Sequence, residues 1–418
     1  MAFSDISFSA SDFDPLLKDY YEPAVQDVLN SKTILLYRIS RDEESVSGRQ
    51  VIAALRIGRN EGMGFIGSGG TLPDPGQQKW ANRKFDVQLG YHRYMFPGPE
   101  MAQARNDRGA FLRLMDSELR NGITDNRVEY NRIMYGNGSG ALCSVKSNAA
   151  DPTLTVENPG GYANTSNGTL YLREGMVLIP VSAAGSTAGR TSRKITSIDP
   201  TNETVTFDGA TGASNGDYLV RASESGKTAP PAINVAYNNE PFGLRALADT
   251  GNPPTRNLNN IDATANTWWR GIVKNNGGVA RPLTLDLLQE TEDELDIWAD
   301  GTPTVILSSH PLRRAYIDLL ESQKRFLKPF RLDGGWRAVA YNDVPWVVDK
   351  DCPDGLIYMI DESVLRIYQM SDIFFINRDG SILQRDLDRD MYQATTAHYW
   401  EFSPENRKPL ARIDDLAS

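Results

Sequence analysis

The stretch AQARNDRGAFLRLMDSELRNGITDNRVEYNRIMY, residues 102–135, decides the fold because its pattern predicts one long amphipathic helix. Its apolar residues are mostly spaced by three, four or a sum of those steps, which is helical periodicity, and charges of both signs stand between them. A continuous helix of this length would span roughly 50 Å at ~1.5 Å per residue. We therefore predict a strut in an extended protein. Gly122 to Thr124 is where we expect a bend or break, since glycine costs about 1 kcal/mol relative to alanine inside a helix.

The composition favours a soluble globular protein. The chain has 418 residues, 40% of them hydrophobic and 23% charged, which suggests roughly two to four domains. No apolar run approaches the ~20 residues of a membrane span, and no secretory signal is visible. Cys143 and Cys352 alone supply neither a disulfide framework nor a zinc cluster, which fits synthesis in a reducing cytoplasm. The net charge of -10 argues against broad nucleic-acid binding.

The residues before the long helix predict an arm and a hairpin. SKTILLYRIS, Ser31–Ser40, is a short strand candidate within an N-terminal arm. VIAALRIGR from residue 51 and KFDVQLGYHRYMF, Lys84–Phe96, predict two strands joined by a tip rich in glycine. Because an isolated two-stranded hairpin is marginally stable, we expect it to pack on a neighbour.

The residues after the helix predict a β-rich unit followed by an α/β region. From 151 to 227, short strand candidates alternate with turn clusters, which is typical of a small barrel or sandwich. Helix signals resume only later, with an amphipathic segment from Leu283 to Trp298 for which Thr284 is a possible N-cap. The strand TVIL at 304–307 leads into a second helix, in which Pro311 suits the first turn. Strands then follow one another to Trp400.

This order of parts resembles the major capsid protein family of tailed bacteriophages, which has the Hong Kong 97-type fold. The resemblance covers about residues 33 to 418 and rests on the joint order of segments. The hairpin is similar to the family's extended loop, and the long helix with its exit MYGNGSGAL is similar to the spine helix. Three further segments resemble the family's later parts: Phe242–Gly251 (FGLRALADTG), Val305–Leu320 (VILSSHPLRRAYIDLL) and Tyr341–Asp361 (YNDVPWVVDKDCPDGLIYMID).

The resemblance implies an α+β fold with peripheral and axial domains, an N-terminal arm, an extended loop, a spine helix and an inserted small β-barrel-like domain. The implied division is as follows: 1–48 N-terminal arm and first strand, 49–98 extended loop, 99–140 spine helix and peripheral domain, 141–150 with 228–365 axial domain, 151–227 β-rich insertion, and 366–418 C-terminal strands returning to the peripheral and axial domains.

The implied function is that of a major capsid (head) protein. Such a chain self-assembles into hexamers and pentamers of an icosahedral shell that encloses double-stranded DNA without sequence-specific binding. Its location would be the virion, after synthesis in the host bacterial cytoplasm, with no membrane partner. A separate scaffolding protein, a portal and head-decoration proteins are possible partners. Some members join subunits through a Lys-Asn bond; Lys79 and Lys84 lie in the loop, but nothing marks either as reactive.

No residue pattern supports catalysis, a cofactor or a metal. Asp386, Asp388 and Asp390 begin like a calcium loop, but Met391 stands where an EF-hand needs glycine, so a strand edge or solvated turn is preferred. Further candidates have plainer structural interpretations: a polar turn for Asp349, Asp351 and Asp354, isolated histidines for His92, His310 and His398, a serine without nucleophile spacing for Ser139, a flexible glycine run for 62–70, and a core or subunit anchor for Trp268 and Trp269.

Two other function classes stay open at this stage. The chain could be a carbohydrate- or cell-surface-binding protein in which 151–227 is the binding module. An α/β enzyme built on residues 283–361 is the third hypothesis, but no nucleophile, metal set or cofactor loop supports it.

Overall fold

The computed structural model describes residues 34–46, 48–98, 122, 125–126, 128–223, 225–226, 237–254, 256–299, 301–322, 330–331, 337–377, 384–385 and 390–417. Its helices are α1 (Ile34–Arg38), α2 (128–134), α3 (Leu244–Leu247), α4 (Leu285–Ala299) and α5 (His310–Ser322). Its strands are β1 (Ser40–Asp42), β2 (Gln50–Gly58), β3 (Lys79–Asp86), β4 (Gln88–Pro97), β5 (Ala141–Ala150), β6 (Thr153–Glu157), β7 (Val177–Val181), β8 (Arg193–Asp199), β9 (Thr204–Phe207), β10 (Tyr218–Arg221), β11 (Ile272–Lys274), β12 (Val305–Ser308), β13 (Phe330–Arg331), β14 (Arg337–Tyr341), β15 (Val344–Val348), β16 (Ile357–Ile360), β17 (Leu365–Gln369), β18 (Phe374–Phe375), β19 (Gln384–Arg385), β20 (Met391–Pro404) and β21 (Leu410–Ile413).

The 14-residue strand β20 organises one sheet, which we call the β20 sheet. It pairs antiparallel with β17, β18, β19 and β4, and β1 adds to β17 in parallel. Helix α2 packs on this sheet through Tyr130, whose ring lies 5.5 Å from His398 and 5.4 Å from Trp400. A Cβ on Gly122 would collide with the ring of Tyr94 on β4, so glycine permits the close approach of helix and sheet.

Most of the predicted helix 102–135 lies outside the described residues. The described residues 122, 125–126 and 128–134 are helical, and Tyr135 lies in the turn that follows. The predicted bend at 122–124 stays a prediction, because residues 123 and 124 are also outside the described part.

A seven-stranded sheet, in the order β11-β21-β16-β12-β15-β14-β13, forms the second layer. Alternate residues of its strands enter two cores, as the pleat requires. Val305 and Leu307 join the core shared with α1, α2 and the β20 sheet, whereas Ile306 faces α4 and α5. The predicted N-cap of α4 is observed, since the Leu287 amide donates to Thr284 Oγ1 at 3.2 Å.

Six strands close a small barrel in the order β10-β5-β6-β9-β8-β7, with an apolar interior. Four of them match predicted strand candidates. The barrel also takes in β5, residues 141–150, which the sequence division placed with the axial domain. The strand belongs here because it pairs with β10 on one side and β6 on the other.

Two strand predictions were wrong. Within Ser31–Ser40 the described residues 34–38 form helix α1, because Leu35 and Ile39, four residues apart, are both buried on one helical face. Lys84–Phe96 is not one strand. The chain crosses between sheets at Val87, so residues up to Asp86 pair with β2 and those from Gln88 onward pair with β20.

Candidate subunit-contact surfaces

The hairpin formed by β2, β3 and the intervening tip (residues 59–78) is rooted at its base. Val51 is buried, and Phe85 meets the ring of Tyr368 on β17 edge to face at 5.1 Å. Buried Arg83 donates to Tyr368 Oη at 2.6 Å and to the Pro404 carbonyl at 3.1 Å. Two aromatic rings and two hydrogen bonds from the Arg83 guanidinium thus fix the direction in which the hairpin leaves the β20 sheet.

The tip exposes large apolar side chains that contact little of their own chain. Phe65 is 94% exposed, Leu72 78% and Met63 77%. A Cβ on Gly67 or Gly69 would meet nothing within 4 Å. Because contiguous exposed apolar groups mark interaction surfaces, the tip has the chemistry of a docking element.

The apolar character continues down one side of the hairpin. Ile52 on β2 is exposed, as is Trp80 on β3. Such large side chains contribute most when they enter a partner's pocket. Lys79 and Lys84, also on β3, are exposed, with Lys79 opposite Gly58 and Lys84 opposite Ile52.

A second apolar surface, the β4 face, lies on the side of the β20 sheet away from α2. Strand alternation buries Tyr94 and Phe96 and leaves Leu89, Tyr91 and Met95 exposed. Tyr91 contacts Tyr399 across the strands, with ring centroids 5.9 Å apart. The β4 face therefore presents aromatic and aliphatic groups on a rigid support.

Buried charges hold the framework behind these surfaces. Glu401 on β20 accepts from the Phe242 amide at 2.6 Å and from Arg256 at 2.8 Å. Arg407 is fully buried and donates to four backbone carbonyls, those of Ala246, Leu247, Gly251 and Trp269. Burial lowers the pKa of Arg407 to about 10, so it stays charged at neutral pH.

The histidines and the serine considered from sequence do not come together. His398 is buried against Trp400, with Nε2 3.2 Å from Gln369 Oε1. Burial, and then the nearby Arg41, lower the pKa of His398 to about 3. The His92 ring contacts the Tyr94 ring instead, with centroids 4.7 Å apart and the planes tilted by 58°. Ser139 donates to Asn137.

The remaining candidates have structural positions. Trp269 is buried in the core, and Trp268 is packed against it. Of the aspartates in the calcium-like run, only Asp390 is described; its carbonyl accepts from the Gly98 amide at 2.9 Å. Among the residues that the structure describes, no three His, Cys, Asp or Glu side chains gather as metal ligands.

One candidate differs from its sequence interpretation. Asp349 and Asp351 were expected in a polar turn, but both are buried and share Asn131 of α2 as a hydrogen-bond donor. Sequence spacing carried no signal for this meeting, because Asn131 lies 218 residues from Asp349.

Known structures identify the fold. The chain is similar to the structure titled cyanophage A-1(L) capsid asymmetric unit, with a TM-score of 0.52 and 12% identity over 94% of this chain and 93% of that one. The chain has the Hong Kong 97-type capsid fold, an α+β fold, as the resemblance predicted.

Two further matches are more distant. The capsid of a native GTA particle has a TM-score of 0.46 and 10% identity, over 93% of this chain and 94% of that one. A structure from Mycobacterium phage Bobi has a TM-score of 0.44 and 10% identity, over 98% and 99%. No protein-family model and no curated protein matches the sequence. No helix in the described ranges is long and apolar enough to cross a membrane.

Proposed function

We propose that this chain is the major capsid protein of a tailed bacteriophage, a structural and not a catalytic protein. It assembles into hexamers and pentamers of an icosahedral shell that encloses double-stranded DNA. The observation that carries the proposal is a capsid fold whose projecting hairpin exposes Met63, Phe65 and Leu72 while its base is fixed in the core. Docked on a neighbouring subunit, such a tip removes apolar surface from water once per subunit contact.

The regions take the roles that the fold suggests. The hairpin within 49–98 is the extended loop, 99–140 is the spine helix, and the β20 sheet is the peripheral domain. The seven-stranded sheet with α4 and α5 is the axial domain, around which subunits meet at the symmetry axes. The barrel, predicted as 151–227 and including β5, is an insertion domain. Residues 1–48 supply the N-terminal arm and the first strand, β1, which pairs with β17.

Assembly draws on several weak contacts acting together. Hairpin tip, β4 face and axial domain each meet other copies, so modest affinities combine through effective concentration. The net charge of -10 suits a shell whose inner surface does not bind the DNA over its whole area. The proposed site of synthesis is the host cytoplasm. The proposed partners are a separate scaffolding protein, a portal and decoration proteins.

Sedimentation and electron microscopy of the expressed full chain test this function. We expect capsomers or closed shells, with a co-expressed scaffolding protein if one is required. A chain that stays monomeric under every condition, with and without scaffold, would refute the proposal.

A further inference from the structure

Two buried carboxylates meet one carboxamide where α2 reaches the turn after β15. Asn131 Nδ2 lies 2.9 and 3.1 Å from the two carboxylate oxygens of Asp349, and 2.6 Å from Asp351 Oδ2. Asp349 and Asp351 are each 7% exposed and Asn131 3%. Three carboxylate oxygens therefore surround one point inside the protein.

In the part of the chain that the structure describes, no positive side chain lies in contact with these two carboxylates. Among the described residues, the hydrogen-bond donors to Asp349 and Asp351 are all neutral, and Lys350 and Arg173 act on Asp351 only at longer range. Other buried acids have a partner: Glu401 faces Arg256 at 2.8 Å and Asp414 faces Arg412 at 2.7 Å. Neutral donors compensate the charge in part, since the Tyr135 hydroxyl and the Asp351 amide each donate to Asp349 at 3.1 Å. Burying two carboxylates without an ion-pair partner still costs several kcal/mol, so a further positive charge would stabilise the pair.

The carboxamide of Asn131 is itself unsatisfied. Its Nδ2 has two hydrogens for three nearby oxygens, while its Oδ1 is buried without any hydrogen-bond partner. The two ends of a carboxamide have nearly the same shape. A half-turn about the terminal bond would thus place Oδ1 among the carboxylate oxygens without changing the packing.

With Oδ1 in that position, its separations from the three carboxylate oxygens would suit the ligand shell of a hard cation. Ligands at ~2.1 Å in an octahedron lie about 3.0 Å apart, close to the observed separations of 2.6 to 3.1 Å around Asn131 Nδ2. We propose that Asp349, Asp351 and, after this half-turn, Asn131 Oδ1 bind a divalent cation, Ca²⁺ or Mg²⁺. Its two charges would balance the two carboxylates, with water completing the shell.

The site would join three parts of the molecule. Asn131 belongs to α2, and the aspartates belong to the turn after β15 in the seven-stranded sheet. Tyr171, in the loop between β6 and β7 of the barrel, donates to the Asp351 carbonyl at 2.6 Å. A bound cation would therefore lock helix, sheet and barrel together at one point.

The test uses the full chain, freed of metal with a chelator and then given CaCl₂ or MgCl₂. We expect at least one cation to raise the midpoint of thermal unfolding by about 2 °C or more at saturation. Terbium should report the site directly, because Tyr135 donates to Asp349 at 3.1 Å and can transfer excitation energy to a bound ion. Calcium should compete for that luminescence.

The variant Asp351→Asn separates a cation site from a structural pair. It removes one anionic ligand and also the like charge beside Asp349, so it should abolish the thermal shift and the terbium signal. The metal-free variant should be at least as stable as the metal-free parent. Asp354→Asn is the matched control, since Asp354 lies in the same turn, is partly exposed and accepts no bond from Asn131. It should keep both responses.

Three results would overturn the proposal. The parent chain could fail to respond to either cation, or Asp351→Asn could respond as strongly as the parent. Stability that depends on acid pH through Asp351, without any cation response, would show instead that the two carboxylates share a proton.

Discussion

Phe65, at the tip of the hairpin, is the residue whose replacement should separate assembly from folding. The perturbation is Phe65→Ser, which keeps the chain length and removes the aromatic ring. With 94% of the residue exposed in the single chain, the ring contributes little to its own fold. We expect the free energy of unfolding to change by no more than about 0.5 kcal/mol.

The expected effect on assembly is much larger. Burying a phenylalanine side chain is worth about 1.5–3 kcal/mol, which corresponds to a roughly ten- to hundredfold weaker contact when the ring is lost. A ring of six subunits repeats this contact six times, so the loss per hexamer is of order 9–18 kcal/mol if the contacts add. Assembly should fail at protein concentrations at which the parent chain forms particles.

Sedimentation velocity over a concentration series gives the assembled fraction, and thermal unfolding gives the stability of the subunit. Gln78→Ser is the matched control, because Gln78 is exposed on the same tip but offers no apolar surface. It should assemble like the parent. Assembly of Phe65→Ser within twofold of the parent would refute the reasoning, as would a loss of subunit stability that explains the defect.

Other substitutions test the framework. Arg407→Met should lower the free energy of unfolding by at least about 3 kcal/mol in urea titrations, because four buried carbonyls lose their donor; an unchanged value would contradict this. The parent chain should lose about 1.4 kcal/mol per pH unit through His398 between about pH 6.5 and 3, since the unfolded imidazole binds a proton that the folded one, with a pKa of about 3, does not. Urea unfolding of His398→Gln should show a smaller loss from pH 7 to 5. Deleting residues 62–75 should abolish particles in electron micrographs while leaving the midpoint of subunit unfolding nearly unchanged; equal loss of both would place the tip in the subunit core.

Local sequence patterns correctly predicted the elements whose conformation is determined by neighbouring residues. The Thr284 cap and the strand Val305–Ser308 follow from short-range rules, since a hydroxyl before an apolar period and an apolar β-branched run each have one favoured structure. The strand prediction for ILLYR at 34–38 was wrong because its four apolar and aromatic residues, followed by Arg38, suit a helix and a strand alike. Tertiary packing of Leu35 and Ile39 decided the outcome.

Features that depend on contacts between residues far apart in sequence could not be predicted from local patterns. The crossing at Val87 depends on β20, some 300 residues later, taking β4 as its neighbour. Likewise, the glycine-rich tip was predicted to join two strands, but the near-complete exposure of Phe65 follows from the absence of any described segment against it. The meeting of Asn131 with Asp349 depends on how helix and sheet pack, and neither residue has a pattern that signals it.

A cryo-electron microscopy map of the assembled particle tests the central claim most directly, because it locates the hairpin tip relative to other subunits. The account predicts a shell of hexamers and pentamers in which Met63, Phe65 and Leu72 are buried against a neighbouring subunit. A particle in which the tip stays in solvent or packs only on its own chain would contradict it.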